Sequence, residues 1–300
     1  MASFPRTRMR RNRASAFIRS LVAENMVTAA DLILPLFLTD GAQSTPVASM
    51  PGVSRNTIDD ALRVAEQASA LGIPALALFP EVDASLKTPD CAESWREDNL
   101  INRAVGRLKY SFPDLGLITD VALDPYNPQG HDGYLVGDRI VNDETIKALV
   151  KQALSLARAG TDIVAPSDMM DGRIGVIRDA LDAEGFTDVG LMSYAVKYAS
   201  AYYGPFRDAI GSGGALKGDK KTYQMDTANA LEGLREVELD IEEGADTVMV
   251  KPGLPYLDMV CRVKEMFGVP TFAYQVSGEY AAIMAAAENG WLDHDRVWLE

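Results

Sequence analysis

Residues 244–253 read Gly-Ala-Asp-Thr-Val-Met-Val-Lys-Pro-Gly, and this stretch contains the unit from which the chain is built. Gly244 follows a segment with helical periodicity, and glycine readily takes the left-handed conformation that ends a helix. Residues 247–250 are short and mostly apolar, as expected of a strand buried on both faces of a sheet. Lys251 follows directly where that strand ends. The unit therefore predicts a helix, a glycine cap, a buried parallel strand and then a polar group.

Six further apolar runs of similar length lie along the chain. We predict seven strands, at residues 32–38, 73–79, 117–123, 162–165, 191–194, 247–250 and 271–276. Glycines precede five of these strands as in the first unit, namely Gly72, Gly160, Gly185, Gly244 and Gly268. The segment after Asn142 is the clearest helix, because its apolar residues recur on one face.

Seven strand–helix units in about 270 residues predict an α/β fold, and specifically a TIM (β/α)8 barrel. A doubly wound parallel sheet is the alternative, but no glycine-rich dinucleotide or Walker loop follows the first strand. A closed barrel needs an eighth strand, and the sequence reaches Glu300 within a segment typical of a helix. Either the chain is cut short or the barrel closes in an unfamiliar way, and we favour the first.

The composition excludes several classes of protein. The chain has 300 residues, is 47% hydrophobic and has a net charge of −14, so it lacks the basic character of general nucleic-acid binders. No apolar run approaches the roughly 18 residues that a membrane helix needs. Two cysteines and two histidines exclude a disulfide scaffold, a multi-cysteine zinc cluster and a three-histidine metal site. We predict a cytoplasmic protein with no nucleic-acid and no membrane partner.

The N-terminus has the opposite charge to the rest of the chain. Six arginines precede the first acidic residue, Glu24. A mitochondrial transit peptide and a solvated tail are two interpretations of such a segment. We favour a third, in which residues 1–30 form an extended arm that contacts the acidic body of a neighbouring subunit. Residues 31–300 then form the catalytic barrel domain.

Polar residues follow five of the predicted strands, at the end where TIM barrels carry their active sites. Lys197 and Lys251 are the most informative, because a buried lysine beside another cation loses its proton more easily and can attack a ketone. The alternative is that both side chains reach solvent or pair with acidic residues. The acidic residues at this end of the barrel are candidate proton carriers, amine anchors, divalent-metal ligands or loop caps. They are Asp120, Asp124, Asp132 and Asp168.

Residues 202–224 combine aromatic, glycine-rich and basic sequence between the fifth and sixth strands. Arg207 and Lys220 stand beside glycines, which predicts a mobile lid that presents cations to a substrate carboxylate. A solvated basic segment that includes Lys217 and Lys221 is the alternative.

Longer motifs resemble a known family. They are TDVALDPYNPQGHDG (119–133), APSDMMDGRIG (165–175), SYAVKYASAYYGPFRDA (193–209), KKTYQMD (220–226), VMVKPGLPYLD (248–258) and YQVSGEY (274–280). Together they resemble the porphobilinogen synthases, also called 5-aminolevulinate dehydratases, from about residue 8 to residue 291. The resemblance implies a TIM barrel with an N-terminal arm, usually in a homo-octamer. It also implies condensation of two 5-aminolevulinate molecules into porphobilinogen with loss of two waters, an early step of tetrapyrrole synthesis.

The resemblance implies a role for each motif residue. Lys251 corresponds to the Schiff-base lysine for the propionate-side substrate and Lys197 to the one for the acetate-side substrate. Arg207 and Lys220 correspond to the cations that hold one substrate carboxylate, and Ser277 to a ligand of the other. The remaining expected site residues are Gln224 near the lid, Ser167 and Asp168 at the substrate, and Asp120, Asp124 and Asp132, which orient the second amine and move protons.

The metal residues differ from those of the zinc-dependent branch of that family. Zinc-dependent members carry three cysteines at the positions of Ala122, Asp124 and Asp132. The resemblance therefore implies the aspartate-type branch, which uses magnesium, potassium or no active-site metal. Glu236 in LREVELD matches a glutamate that binds a stimulatory magnesium ion between subunits. We expect allosteric magnesium and no active-site zinc.

Two other functions remain open from the residues alone. A simpler Schiff-base aldolase on the same barrel needs only one lysine, and a catalytically silent barrel needs neither lysine. Two lysines at neighbouring strand ends, facing several aspartates, favour the condensing enzyme over both.

Overall fold

The computed structural model describes residues 3–210, 216 and 218–300. Residues 211–215 and Lys217 of the predicted lid lie outside the described residues. The strands are β1 Ile33–Leu38, β2 Thr45–Pro46, β3 Ser54–Asn56, β4 Ala75–Pro80, β5 Gly116–Val121, β6 Tyr134–Val136, β7 Arg139–Val141, β8 Ile163–Pro166, β9 Gly190–Lys197, β10 Thr247–Lys251 and β11 Thr271–Ala273. The helices are α1 Ala16–Leu21, α2 Ile58–Ala70, α3 Leu100–Ser111, α4 Asn142–Ala159, α5 Arg173–Ala183, α6 Gly204–Ala209, α7 Ala230–Glu242, α8 Leu257–Phe267, α9 Ser277–Glu288 and α10 His294–Val297.

All seven predicted strands are present, with ends that differ by up to three residues from the predicted ones. They are β1, β4, β5, β8, β9, β10 and β11, and each pairs with its neighbour in parallel. A helix lies between each successive pair of them, which is the wall of the predicted TIM barrel. Within the described ranges β11 ends the hydrogen-bonded sheet, so the expected eighth strand is not among these residues.

The strands are buried on both faces, as their continuous apolar character predicts. In β1, Leu36 and Leu38 pack outward against the helices, whereas Phe37 packs into the barrel interior. Full burial of one such side chain contributes about 2 kcal/mol, so alternate residues of the strands stabilise both the barrel interior and the layer between strands and helices. The glycine caps are also confirmed, since Gly160 and Gly268 cap α4 and α8 in the left-handed conformation.

Two of the strand ends that differ from the prediction affect the site. β9 continues past residue 194 to Lys197, because its last residues pair with β10 after a register shift between Val248 and Val250. In this register Lys197 lies directly opposite Lys251. β5 ends at Val121 rather than at residue 123, so Asp124 stands in the loop that follows. The two lysines are therefore neighbours on adjacent strands.

The first described residues lie outside both cores. Residues 3–30 contain a 3₁₀ turn at Met9–Arg13 and helix α1, and none of them is buried. Their apolar side chains, including Phe17, Leu21 and Met26, are largely exposed. Among the helices that the structure describes, none is both long enough and apolar enough to span a membrane.

Candidate active site

Polar side chains from four strand ends and from the lid segment converge on one cavity. Nine of the predicted site residues line it, namely Asp120, Asp124, Asp132, Ser167, Lys197, Arg207, Lys220, Gln224 and Lys251. The cavity stands at the C-terminal ends of the strands, where the barrel rule places an active site.

Lys251, the last residue of β10, is enclosed by aromatic rings. Its Nζ lies 4.5 Å from the ring centre of Tyr274, 5.0 Å from that of Tyr194 and 5.1 Å from that of Phe206. Burial, and then the positive charge of Lys197, lower the pKa of Lys251 to about 7. A large fraction of this amine is therefore neutral near neutral pH, which is the form that attacks a carbonyl carbon.

Lys197 is held by polar groups rather than by rings. Its Nζ donates a hydrogen bond to the Ser167 carbonyl oxygen and lies 3.6 Å from Asp132 Oδ1. The two buried lysines thus have different surroundings, apolar around Lys251 and acidic around Lys197. Such a difference suits two amines that act at different stages of one reaction.

Lys220 stands between two of the aspartates. Its Nζ lies 2.7 Å from Asp132 Oδ2 and 3.2 Å from Asp124 Oδ2. Burial alone would raise the pKa of Asp132, but the charges of Lys197 and Lys220 lower it to about 2. An ammonium group therefore lies between Asp124 and Asp132.

Asp168 is fully buried and Asp120 is partly buried, and burial raises the pKa of each carboxyl. Asp120 lines the cavity, and its Oδ1 has no hydrogen-bond partner in the described structure. Asp168 is not among the residues that line the cavity. Its Oδ1 accepts a hydrogen bond from the Met170 amide at 2.7 Å, and its Oδ2 lies 3.9 Å from Arg173 Nε. Its position is that of a support behind Ser167.

Arg207 reaches the cavity from helix α6, which is anchored at both ends. The Arg55 guanidinium donates to the carbonyl oxygens of Asp208 and Ala209 at the C-terminal end of this helix. The Ser277 hydroxyl accepts a hydrogen bond from the Phe206 amide at 2.8 Å. Ser277 is therefore buried beside α6 and is not among the residues that line the cavity.

Glu236 lies apart from the lysines, on helix α7. It lines a second, polar cavity together with Asn142, Asp171 and Glu232. Gln224 borders both cavities, so the two are neighbours across the segment that carries Lys220.

Sequence reasoning missed the aromatic enclosure of Lys251 and a buried ion pair behind β9. Tyr203 and Phe206 line the cavity beside Lys251. Their position next to Arg207 in the segment YYGPFR could have identified them as site residues. Arg173 is 2% exposed, and its Nη1 lies 2.6 Å from Asp240 Oδ1. Ser193 also hydrogen-bonds both partners of this pair. Nothing in the sequence around Arg173 or Asp240 indicates that contact.

Comparison with known proteins agrees with this geometry. A family model described as delta-aminolevulinic acid dehydratase matches residues 6–300. The delta-aminolevulinic acid dehydratase of Bradyrhizobium diazoefficiens is 59% identical over 98% of this chain and 83% of its own length. The corresponding enzyme of Rhodobacter capsulatus is 54% identical over 99% of this chain and 90% of its own length.

A solved structure is also similar. It is the delta-aminolevulinic acid dehydratase (porphobilinogen synthase) of Toxoplasma gondii in complex with the reaction product porphobilinogen. Its TM-score to this chain is 0.96 at 50% identity, over 100% of this chain and 84% of the other. The seven parallel strands, the paired lysines and these relatives lead to one conclusion: the chain belongs to the delta-aminolevulinic acid dehydratase family.

Proposed function

We propose that this chain condenses two molecules of 5-aminolevulinate into porphobilinogen, with loss of two waters, through Schiff bases on Lys251 and Lys197. One observation carries the proposal: two buried lysines stand side by side, and the pKa of one of them is lowered to about 7. The same observation disfavours the one-lysine aldolase, because a second buried lysine beside the first has no use in that reaction.

The two lysines have different surroundings, and we assign each of them one step of the reaction. The neutral amine of Lys251 attacks the ketone carbon of one substrate, and loss of water gives an imine. Lys197 forms the corresponding imine with the second substrate, which loses a proton to become an enamine and then forms the carbon–carbon bond. The enamine carbon attacks the imine carbon on Lys251, and the free amino group of the first substrate then attacks the Lys197 imine, closes the ring and displaces Lys197. Elimination of the Lys251 amine, with loss of a proton from the ring, gives the pyrrole and frees the second lysine. Asp120 is placed to exchange protons near Lys251, and Asp124 and Asp132 bind ammonium groups near Lys197.

The direct test is incubation of the purified protein with 5-aminolevulinate, followed by a colorimetric assay for pyrroles. Formation of porphobilinogen supports the proposal. A protein that forms an imine with 5-aminolevulinate but yields no pyrrole is the result expected of the simpler aldolase. A protein that forms neither an imine nor a pyrrole is a catalytically silent barrel.

Arg207→Ala is expected to raise the KM for 5-aminolevulinate by about 10- to 100-fold while kcat changes much less. Arg207 faces the cavity with a guanidinium that suits a carboxylate, and loss of one charge-assisted contact weakens binding by that amount. Steady-state kinetics measure the two constants separately. Arg63→Ala is the control, because that arginine is exposed on helix α2. An unchanged KM in Arg207→Ala would remove this residue from the substrate site.

The donor atoms around the cavity do not suit zinc. Ala122 is buried and offers no ligand, and Asp124 and Asp132 are already neutralised by the Lys220 ammonium group. Soft thiolates favour zinc, whereas carboxylates and water suit magnesium. Within the described ranges no cluster of three histidine, cysteine or acidic side chains has the geometry of a metal site. The oxygen-rich cavity at Glu236 fits a hydrated magnesium ion held mainly through water, and potassium remains an alternative cation.

Removal of metal is therefore expected to lower activity only in part. A zinc-selective chelator should have no effect, EDTA should reduce the rate, and added magnesium should restore it. Glu236→Gln should abolish this response and leave the basal rate, because the imine chemistry belongs to the lysines. Elemental analysis, run together with the kinetic assay, measures bound metal. One tightly held zinc per chain, with activity lost on its removal, would contradict this proposal.

We further propose a homo-oligomer, and specifically an octamer, with residues 3–30 as an arm on a neighbouring subunit. The exposed apolar side chains of that segment and its arginines support an interface with an acidic partner. Deletion of residues 1–20 should give smaller oligomers by size-exclusion chromatography with light scattering, and an unchanged mass would argue against the arm.

We also propose a cytoplasmic location, supported by two free cysteines in the described structure.

A further inference from the structure

Glu279 is a buried carboxylate on the first turn of helix α9. Its side chain is 2% exposed, and it is not among the residues that line the cavity of the two lysines. Glutamates are almost never buried to this extent unless their oxygens have hydrogen-bond or ionic partners. The partners of this carboxylate therefore indicate what it holds in place.

Each Glu279 oxygen accepts a hydrogen bond from one backbone amide. Oε2 accepts from the Val276 amide at 2.6 Å, and Oε1 accepts from the Leu254 amide at 2.6 Å. Val276 belongs to the loop between β11 and α9, whereas Leu254 begins the 3₁₀ turn that follows β10. Hydrogen bonds to an ionised carboxylate are short and about twice as strong as neutral ones. One side chain thus joins the loops that follow β10 and β11.

The loop after β10 fixes the surroundings of Lys251, the last residue of that strand. The Tyr274 amide donates to the Val250 carbonyl oxygen at 3.0 Å, and the Gly253 amide donates to the Tyr274 carbonyl oxygen at 2.8 Å. These two hydrogen bonds flank Lys251, and both go to the residue whose ring centre lies 4.5 Å from its Nζ. The place of the Tyr274 ring relative to the amine therefore depends on how this loop is held.

The first turn of α9 also supports a second ring of the enclosure. The Ser277 hydroxyl accepts the Phe206 amide at 2.8 Å, and the Phe206 ring centre lies 5.1 Å from Lys251 Nζ. A Cβ on Gly278 would collide with the Tyr202 backbone, so α9 packs directly against the lid segment. This turn is therefore a fixed point to which the loop after Lys251 is attached.

We propose that Glu279 is a positioning residue, which ties the loop after Lys251 to the loop that carries Tyr274 and so keeps the aromatic rings around the Lys251 amine. This inference rests on the proposed function, in which that amine attacks the first substrate. Without the bond to Leu254, the loop is free to move away from β11 and water reaches Nζ. Better hydration stabilises the ammonium form, so the pKa of Lys251 rises toward the ordinary lysine value.

Glu279→Gln is the first test. A glutamine side chain has one acceptor oxygen, so its NH₂ group would face the second backbone amide. The bond to Val276 is local, so we expect the bond to Leu254 to be lost. The pH midpoint for borohydride labelling of Lys251 with 5-aminolevulinate should then rise by about one unit, and kcat at pH 7 should fall about 5-fold with it. Labelling of Lys197, read from the same peptide maps, should be unchanged.

Glu279→Asp separates position from charge. Aspartate keeps the negative charge and both oxygens, but it is one methylene shorter and cannot reach Val276 and Leu254 together. We expect the same upward shift as in Glu279→Gln. Loss of a negative charge alone would instead lower the midpoint in Glu279→Gln and leave it in place in Glu279→Asp. All the charged groups that share the cavity with Lys251 are kept in both variants, namely Asp120, Asp124, Asp132, Lys197, Arg207 and Lys220.

Glu243→Gln is the matched control. That glutamate is half-buried and also accepts a helix amide, from Gly175 of α5 at 3.2 Å, but it is not among the residues that line the cavity. It should lose stability in a similar way and keep the wild-type kcat and the wild-type midpoint at Lys251.

An upward midpoint at Lys251 in both Glu279 variants, with Lys197 labelling unchanged, supports the role of Glu279. A midpoint that stays in place or moves down, or an equal change at both lysines, overturns it. If neither variant folds, Gly253→Ala tests the same loop, because its Cβ would lie 3.2 Å from the Tyr274 carbonyl oxygen. The midpoint should again rise, and an unchanged midpoint contradicts the role. A wild-type protein that labels neither lysine and forms no pyrrole instead rejects the proposed function itself.

Discussion

Lys251→Met is expected to lower porphobilinogen formation by at least about 10³-fold, because the variant lacks the amine that starts the reaction. The fold should survive this change. Lysine and methionine are similar in length, and the aromatic rings around Nζ form an apolar site that a thioether fills without the cost of burying an amine. The pyrrole assay measures the rate, and a thermal unfolding midpoint close to that of wild type shows that the fold is intact.

Lys264→Met is the control for this experiment. Lys264 is an exposed residue of helix α8, and its amine donates a hydrogen bond to the Val269 carbonyl oxygen. Borohydride trapping should label Lys251 in this control and in wild type. If Lys251 stays unlabelled while wild-type enzyme turns over, the covalent role belongs to another residue.

Lys197→Met is expected to abolish the condensation while leaving an imine at Lys251. It should also change the pH at which that imine forms. The positive charge of Lys197 is one of the causes that lower the pKa of Lys251, second to burial. Removing that charge raises the pKa of Lys251, so less of the amine is neutral at neutral pH. Labelling of Lys251 should therefore need a more alkaline solution than in wild type.

The measurement is the rate of borohydride labelling of Lys251 as a function of pH. In wild type the rate should rise with pH around the lowered pKa of about 7. In Lys197→Met the midpoint should move upward. A midpoint that stays in place would show that burial alone sets the pKa of Lys251, and a downward move would contradict the assigned charge of Lys197.

The fold was largely predictable because each wall strand carries its own signal. A short apolar run identifies a buried parallel strand without knowledge of its neighbours, five of the seven runs also follow a capping glycine, and all seven form strands. β3, Ser54–Asn56, carries no such signal, because it is three residues long and polar. It becomes a strand through pairing with β1. The hairpin of β6 and β7 is similarly short and depends on its partner.

The site residues that directly follow a strand end were predictable. Those whose place depends on contacts with residues far away in the sequence were not. Lys197 and Lys251 each complete a strand, so the barrel rule places both at one rim. The pairing of Lys220 with Asp132 joins residues 88 positions apart, and no local pattern indicates it. Ser277 and Asp168 lie in the expected region, but the hydrogen bonds that their side chains accept from neighbouring amides are not indicated by any local pattern. Local sequence gives the position of a residue on the barrel, and packing decides which way it faces.

The ammonium group between Asp124 and Asp132 has a consequence for how substrate enters. 5-Aminolevulinate is a zwitterion, with an ammonium group at one end and a carboxylate at the other. Its ammonium can replace that of Lys220 at the two aspartates, while its carboxylate receives the displaced lysine. Binding is then an exchange of partners in which the number of ion pairs is nearly conserved, so affinity should depend only weakly on ionic strength. An analogue with the carboxylate but no ammonium completes half of this exchange and leaves Asp124 without its counter-ion, while Asp132 keeps only the more distant Lys197. The internal ion pair thus selects for a ligand that carries both charges.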